Sequence, residues 1–96
     1  MSGAGTLARR HALVTGGSRG IGYAVAQRLL EQGARVTLLG RDVKSLQQAV
    51  DSLAEYGEAG FVSANISRQA DVRKAFAQAV ERFGVIDILV NNAGQA

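Results

Sequence analysis

The chain has 96 residues, room for one small domain with a single core and too few for a nucleotide-binding domain joined to a separate substrate domain. Apolar residues make up 47% and charged residues 20%, with no proline, so a packed globular chain is expected rather than a disordered one. The absence of cysteine and the single histidine, His11, exclude a disulfide framework, a thiolate metal site and a histidine cluster, so no metal is expected, and the net charge of +3 is scattered along helical patterns with too few aromatic residues for a nucleic-acid surface.

Residues 1–10 form a polar leader carrying Arg9 and Arg10, and the apolar run that follows, residues 12–14, is too short for a signal peptide. No stretch approaches membrane-spanning length, so a soluble, cytoplasmic protein without a membrane partner is expected. "HALVTG" reads as a short buried strand that runs into the loop "TGGSRGIG". After the loop, Ile21, Ala24, Val25 and Leu29 fall at helical spacing, with Gly33 as the stop. "ARVTLLG" predicts a second strand, and Val43, Leu46, Val50 and Leu53 a second helix, capped by Asp42 and ended by Gly57. "AGFVSAN" predicts a third strand. Val72, Ala75, Phe76, Ala79, Val80 and Phe83 then mark a third helix, opened by Ser67 and closed by Gly84, and "IDILVNN" is a fourth strand.

Strands alternating with helices through short links predict an α/β chain with a parallel sheet and crossover helices. The expected architecture is a Rossmann-like doubly wound parallel sheet in partial form, with about four strands and three helices and strand order 3-2-1-4. The runs "ALVTG", "VTLLG" and "ILV" are continuously apolar, as strands covered on both faces are. Three helices cannot cover both faces of that sheet, and the fourth strand would stand as a bare apolar edge. Residues 11–96 are therefore expected to be the N-terminal part of a longer dinucleotide-binding domain, truncated before any catalytic segment.

The loop between the first strand and helix lies where ligands sit in such sheets, at the carboxyl ends of the strands. It must turn sharply, let backbone approach a phosphate, and bring the helix tight against the strand, three demands met in order by Gly16, Gly20 and Gly22. The helix beginning near Ile21 then presents unpaired N–H groups and the positive end of its dipole to a pyrophosphate. The spacing, G-x-x-x-G-x-G, is not that of a Walker loop, which needs a lysine followed by Ser or Thr, so ATP hydrolysis is disfavoured.

"TGGSRGIG" on the first strand, together with "NNAG" at residues 91–94 on the fourth, resembles the short-chain dehydrogenase/reductase family, and "GARVTLLGRD" and "IDILVNNAG" match its phrasing. The resemblance runs from about residue 11 to residue 94. It implies that Gly16, Gly20 and Gly22 form the glycine motif, that Ser18 and Ile21 contact the phosphates, and that Asn92, Ala93 and Gly94 lie along the ribose and nicotinamide side. Asn91 and Asp87 would have structural roles.

At the end of the second strand Gly40 stands where an NAD-binding acid is expected, and Arg41 follows, as in relatives that bind a 2'-phosphate. Asp42 falls too late to be that acid and is better explained as a helix cap. Arg19, just before the second glycine of the motif, is similar to a family position used against the 2'-phosphate, so Arg19 and Arg41 together predict a clamp for NADP(H), with NAD(H) the lesser candidate. Asn65 replaces an aspartate that in the family accepts a bond from the adenine amino group, a role its amide oxygen can still fill, and Ile66 could add its backbone N–H.

The family's reaction is hydride transfer between NADPH and a carbonyl or alcohol substrate, with a serine and a Y-x-x-x-K motif as its catalytic set. Tyr23 is followed four residues on by Gln27 and Tyr56 by Gly60, so neither heads that motif and no catalytic residue is expected within the chain. The resemblance implies a reductase acting on a small molecule, with a 3-oxoacyl thioester as the candidate substrate, and a homo-oligomer when full length. The alternative is a stand-alone, non-catalytic dinucleotide-binding module or regulatory fragment.

Overall fold

Strand β1 (His11–Thr15) pairs in parallel with β2 (Arg35–Gly40) on one side and with β4 (Ile88–Asn91) on the other, and β3 (Ala59–Ser63) lies outside β2. The resulting order, β3-β2-β1-β4, is the one expected of the doubly wound sheet. The computed structural model describes residues 6–92. Three helices connect the strands: α1 (Gly20–Glu31), α2 (Val43–Leu53) and α3 (Gln69–Phe83). No helix among the described residues is long and apolar enough to cross a membrane.

The period of two along the strands sorts the core into two layers. Ala12, Val14, Val36 and Leu38 face α1 and α2, packing against Ala26, Leu30, Leu46 and Leu53. Leu13, Leu39 and Val62 face the other way, against Ala75 and Ala79 of α3. Burying a leucine such as Leu13 or Leu38, each without solvent exposure, contributes about 1.5–3 kcal/mol. Strands β1 and β2 are therefore covered on both faces, as their unbroken apolar runs require, whereas β4 is half-covered, with Leu89 exposed.

Several local expectations are corrected. In α1 the buried residues are Gly22, Ala26 and Leu30; Ile21, Ala24, Val25 and Leu29, the stripe read from the sequence, form its exposed or half-exposed flank. Helix α2 stops at Leu53, before Gly57, because the chain turns through Ala54 and Tyr56 first. Helix α3 takes Arg68 as its N-cap, without a side-chain cap bond, because the Ser67 hydroxyl is spent on Asn65 Oδ1 at 2.6 Å. Asp42 caps α2 as expected, accepting from Lys44 N at 3.1 Å, and Gly84 ends α3. The described part of the leader is bonded to the turn between α1 and β2 through Leu7 N to Gln32 O and Arg9 N to Gly33 O.

His11, at the start of β1, ties that strand to β2 and to the carboxyl-terminal end of α3. It is fully buried; its Nδ1 is 2.9 Å from the Gly84 carbonyl and its Nε2 2.8 Å from the Thr37 hydroxyl. A carbonyl only accepts, so Nδ1 is the donor to Gly84. The ring also meets Phe83 edge-on at 5.4 Å, while Asp87 accepts from the His11 backbone N–H and pairs with Arg10 at 3.6 Å. Replacing His11 by Ala strands the buried Thr37 hydroxyl, removes the bond to the Gly84 carbonyl and opens a cavity, so urea unfolding is expected to show a loss of about 2–4 kcal/mol. A loss below about 0.5 kcal/mol, the level of an ordinary surface change, would mean that His11 is not a structural tie.

Candidate functional site

The carboxyl ends of the strands converge on one crevice. Gly16 leaves β1 with φ 67° and donates its N–H to Leu39 O at 3.0 Å, which carries the β1–β2 ladder one rung beyond the strand before the loop turns away. Gly20 enters α1 with φ 63°, a conformation glycine adopts without cost, and open space lies where its Cβ would stand. Gly22 answers a different demand. A Cβ there would run into the carbonyl oxygen of Gly16 and come within 2.8 Å of Asn92 Nδ2, so α1 sits against the loop only because this position carries no side chain.

Two further positions support the loop. The Asn92 amide donates to Gly16 O at 3.3 Å, and its backbone N–H donates to Thr15 Oγ1 at 2.9 Å, while Thr15 donates toward the Asn91 amide oxygen at 3.1 Å. Asn91 thus links β1 to β4, the structural role expected of it. Gly17, outside the three-glycine motif, is buried, and a Cβ there would lie 2.6 Å from Leu38 Cδ2. The doubled glycine was the available signal for it.

The first turn of α1 is open to an anion. Its N-cap, Arg19, makes no side-chain cap bond, and no acid lies in the turn, so the leading N–H groups and the positive end of the dipole remain uncompensated. Helix α2 is the contrast, its N-terminus being closed by Asp42. The Ser45 hydroxyl donates to Asp42 Oδ2 at 2.7 Å, and this bond holds the carboxyl below its ordinary range; desolvation by neighbouring atoms opposes the shift, while the Lys44 and Ser45 N–H groups and the Arg19 charge add to it. A lowered folded-state value means that the cap is intact at neutral pH and is lost only as the pH falls through that value.

A cavity of about 340 Å³ runs beside the glycine loop. Gly16, Ser18 and Arg19 line it from the loop, Gly40, Arg41 and Asp42 from the end of β2, and Ile66 from the far side. A Cβ at Gly40 would meet Leu46 Cδ2 at 3.3 Å, so the strand end lies close against α2. Arg19 and Arg41 are both exposed, and among the described residues neither forms an ion pair within 4 Å. The Ser63 hydroxyl fixes the turn by donating to Arg41 O at 3.1 Å.

The other expected site residues fall elsewhere. The Ile21 side chain lines an apolar groove along α1 with Val25 and Leu29, leaving its backbone as the part that faces the turn. The Asn65 amide oxygen accepts from both Ser67 N, at 3.0 Å, and the Ser67 hydroxyl, so a further donor would require that hydroxyl to turn away. Ala93 and Gly94 lie outside the described residues. Neither tyrosine enters the crevice lining: Tyr23 shares a 2.5 Å hydrogen bond with Ser52 between α1 and α2, and the Glu55 charge beside Tyr56 raises its phenol above the ordinary value.

Fold and crevice together define a partial Rossmann-like unit whose open helix N-terminus sits at the carboxyl ends of parallel strands. Residues 10–96 match the family described as short chain dehydrogenase, and the chain belongs to that family. It is 46% identical over 89 residues to a rhamnolipids biosynthesis 3-oxoacyl-[acyl-carrier-protein] reductase of Pseudomonas aeruginosa, a match covering 93% of this chain and 35% of that protein. Among solved structures, a Pseudomonas aeruginosa RhlG/NADP active-site complex superposes with a TM-score of 0.86 at 46% identity, over all of this chain and 39% of that one. A short chain dehydrogenase from Mycobacterium smegmatis superposes with a TM-score of 0.90 at 34% identity, over 99% of this chain and 41% of that one. The chain thus spans about a third of the length of the curated relatives it matches.

Packing at the loop predicts an order of sensitivity. In Gly22→Ala the new methyl meets backbone, which cannot yield, and the expected loss in denaturant unfolding is about 1–3 kcal/mol. In Gly17→Ala it meets the end of a leucine side chain, so the loss should be smaller; the reverse order would contradict the packing described.

Proposed function

We propose that residues 11–96 are the cofactor-holding N-terminal part of an NADP(H)-dependent reductase that transfers hydride between the dinucleotide and a carbonyl or alcohol group of a small molecule. The observation that carries this reading is the pairing of an uncapped, acid-free α1 N-terminus with two exposed arginines around one cavity. The residues fit the group. The backbone from Gly20 to Gly22 and the Ser18 hydroxyl would hold the pyrophosphate, while Arg19 and Arg41 would grip the 2'-phosphate with charge-assisted bonds. Gly40 offers no carboxylate to the ribose hydroxyls, which favours NADP(H) over NAD(H).

Ile66 would flank the adenine, and Asn65 would reach it once Ser67 releases the amide oxygen. Asn92 would act at the nicotinamide side mainly by bracing Gly16, with Ala93 and Gly94 continuing that wall. When bound, the cofactor supplies or accepts hydride at its nicotinamide ring. The acid–base group is assigned to sequence outside this chain, because neither Tyr23 nor Tyr56 heads a Y-x-x-x-K motif and neither lines the cavity. The reductase relative from Pseudomonas aeruginosa supports a 3-oxoacyl thioester as substrate class, and a homo-oligomer is proposed for the full-length polypeptide.

Two measurements test this reading. In the full-length polypeptide, Arg19→Ala and Arg41→Ala should each weaken NADPH binding by about 1.5–3 kcal/mol, the worth of a hydrogen bond to a charged group, while leaving NADH nearly unchanged in a calorimetric titration. Equal losses for both cofactors would remove the clamp. Tyr23→Phe and Tyr56→Phe should leave turnover intact; a drop of about 100-fold in either, the usual cost of deleting a general acid or base, would place catalysis within this chain.

A further inference from the structure

We propose that Asp42 is a specificity-determining residue that opposes the two arginines: fixed in the same cavity, its carboxylate weakens the grip on a 2'-phosphate and narrows the preference between phosphorylated and unphosphorylated dinucleotide. The inference rests on the cofactor reading above and adds a sign to it. Asp42 lines the cavity together with Arg19, Arg41 and Ser45. Its oxygens are held by Lys44 N at 3.1 Å and the Ser45 hydroxyl at 2.7 Å, which keeps the exposed carboxylate at the cavity wall.

The same bonds, with Arg19 adding a smaller share, hold the carboxyl below its ordinary range, so it is an anion at neutral pH. No arginine neutralises it by contact, since among the described residues neither Arg19 nor Arg41 is ion-paired within 4 Å. A phosphate monoester carries roughly 1.5–2 negative charges at neutral pH. At a separation of about 7 Å, in a water-like dielectric and in the low-salt buffer used for the titrations, repulsion from one carboxylate weakens its binding about three- to tenfold. A ribose with a free 2'-hydroxyl carries no charge there and feels none of this.

Adenosine 2',5'-bisphosphate and AMP isolate the adenosine end of the site. Each is titrated calorimetrically into the full-length polypeptide as wild type, Asp42→Asn and Arg41→Ala. Asparagine caps a helix about as well as aspartate, so Asp42→Asn deletes the charge and keeps the cap; Asp42→Ser does the same with a different side chain if the first variant does not fold. The expected result is bisphosphate binding about three- to tenfold tighter in Asp42→Asn, with AMP unchanged. Unchanged or weaker bisphosphate binding overturns the proposal, as does weaker AMP binding, which would make Asp42 a direct ribose contact. The Arg41→Ala arm tests the underlying reading separately: selective loss of bisphosphate binding upholds the clamp whatever Asp42 does, and equal or absent losses overturn the clamp itself.

Discussion

Backbone-to-backbone contact between Gly22 and the carbonyl of Gly16 is the constraint on which the crevice depends. It brings the first turn of α1 down onto the end of β1, and a single added methyl would push the two apart. The Asn92 amide reaches that same carbonyl from the end of β4, so loop, helix and the neighbouring strand share one atom. Thr15 and Asn91 repeat the tie one layer below. The result is a set of N–H groups held in place before any ligand arrives, which spares the binding step the cost of ordering a loop.

Two helix N-termini lie near the cavity, and they are treated in opposite ways. That of α2 is closed by its own Asp42, whereas that of α1 has neither cap nor acid. A helix end left uncapped beside exposed arginines is poorly explained by stability alone, because a cap is worth about 1 kcal/mol and was available to α2. It is well explained by an anion that arrives from outside. The electrostatics of the proposed site are therefore a balance, with the α1 dipole, Arg19 and Arg41 attracting and Asp42 resisting.

Much of this was legible in the sequence because it rests on local rules. Continuous apolar runs marked β1 and β2 as doubly covered strands, the strand–helix alternation pointed to a doubly wound sheet and its strand order, and the spacing of the glycines put Gly16 at the turn and Gly22 where helix and loop meet. Tertiary contacts were less visible. Helix α1 carries two adjacent apolar stripes, and only packing decides that Ala26 and Leu30 go inside while Ile21 and Val25 stay at the flank. Ser67 looked like a cap until Asn65 claimed its hydroxyl, and a lone His11 gave no hint of its bonds to Gly84 and Thr37, residues far away along the chain. The role of Gly17 depends on Leu38, which pattern alone cannot place.

A crystal structure of the full-length polypeptide with NADP+ bound tests the central claim most directly. The account predicts the pyrophosphate over the N–H groups of Gly20 to Gly22 and the 2'-phosphate between Arg19 and Arg41, with Asp42 still bonded to Ser45. A dinucleotide whose pyrophosphate lies away from the α1 N-terminus, or whose 2'-phosphate points to solvent without touching either arginine, would contradict it.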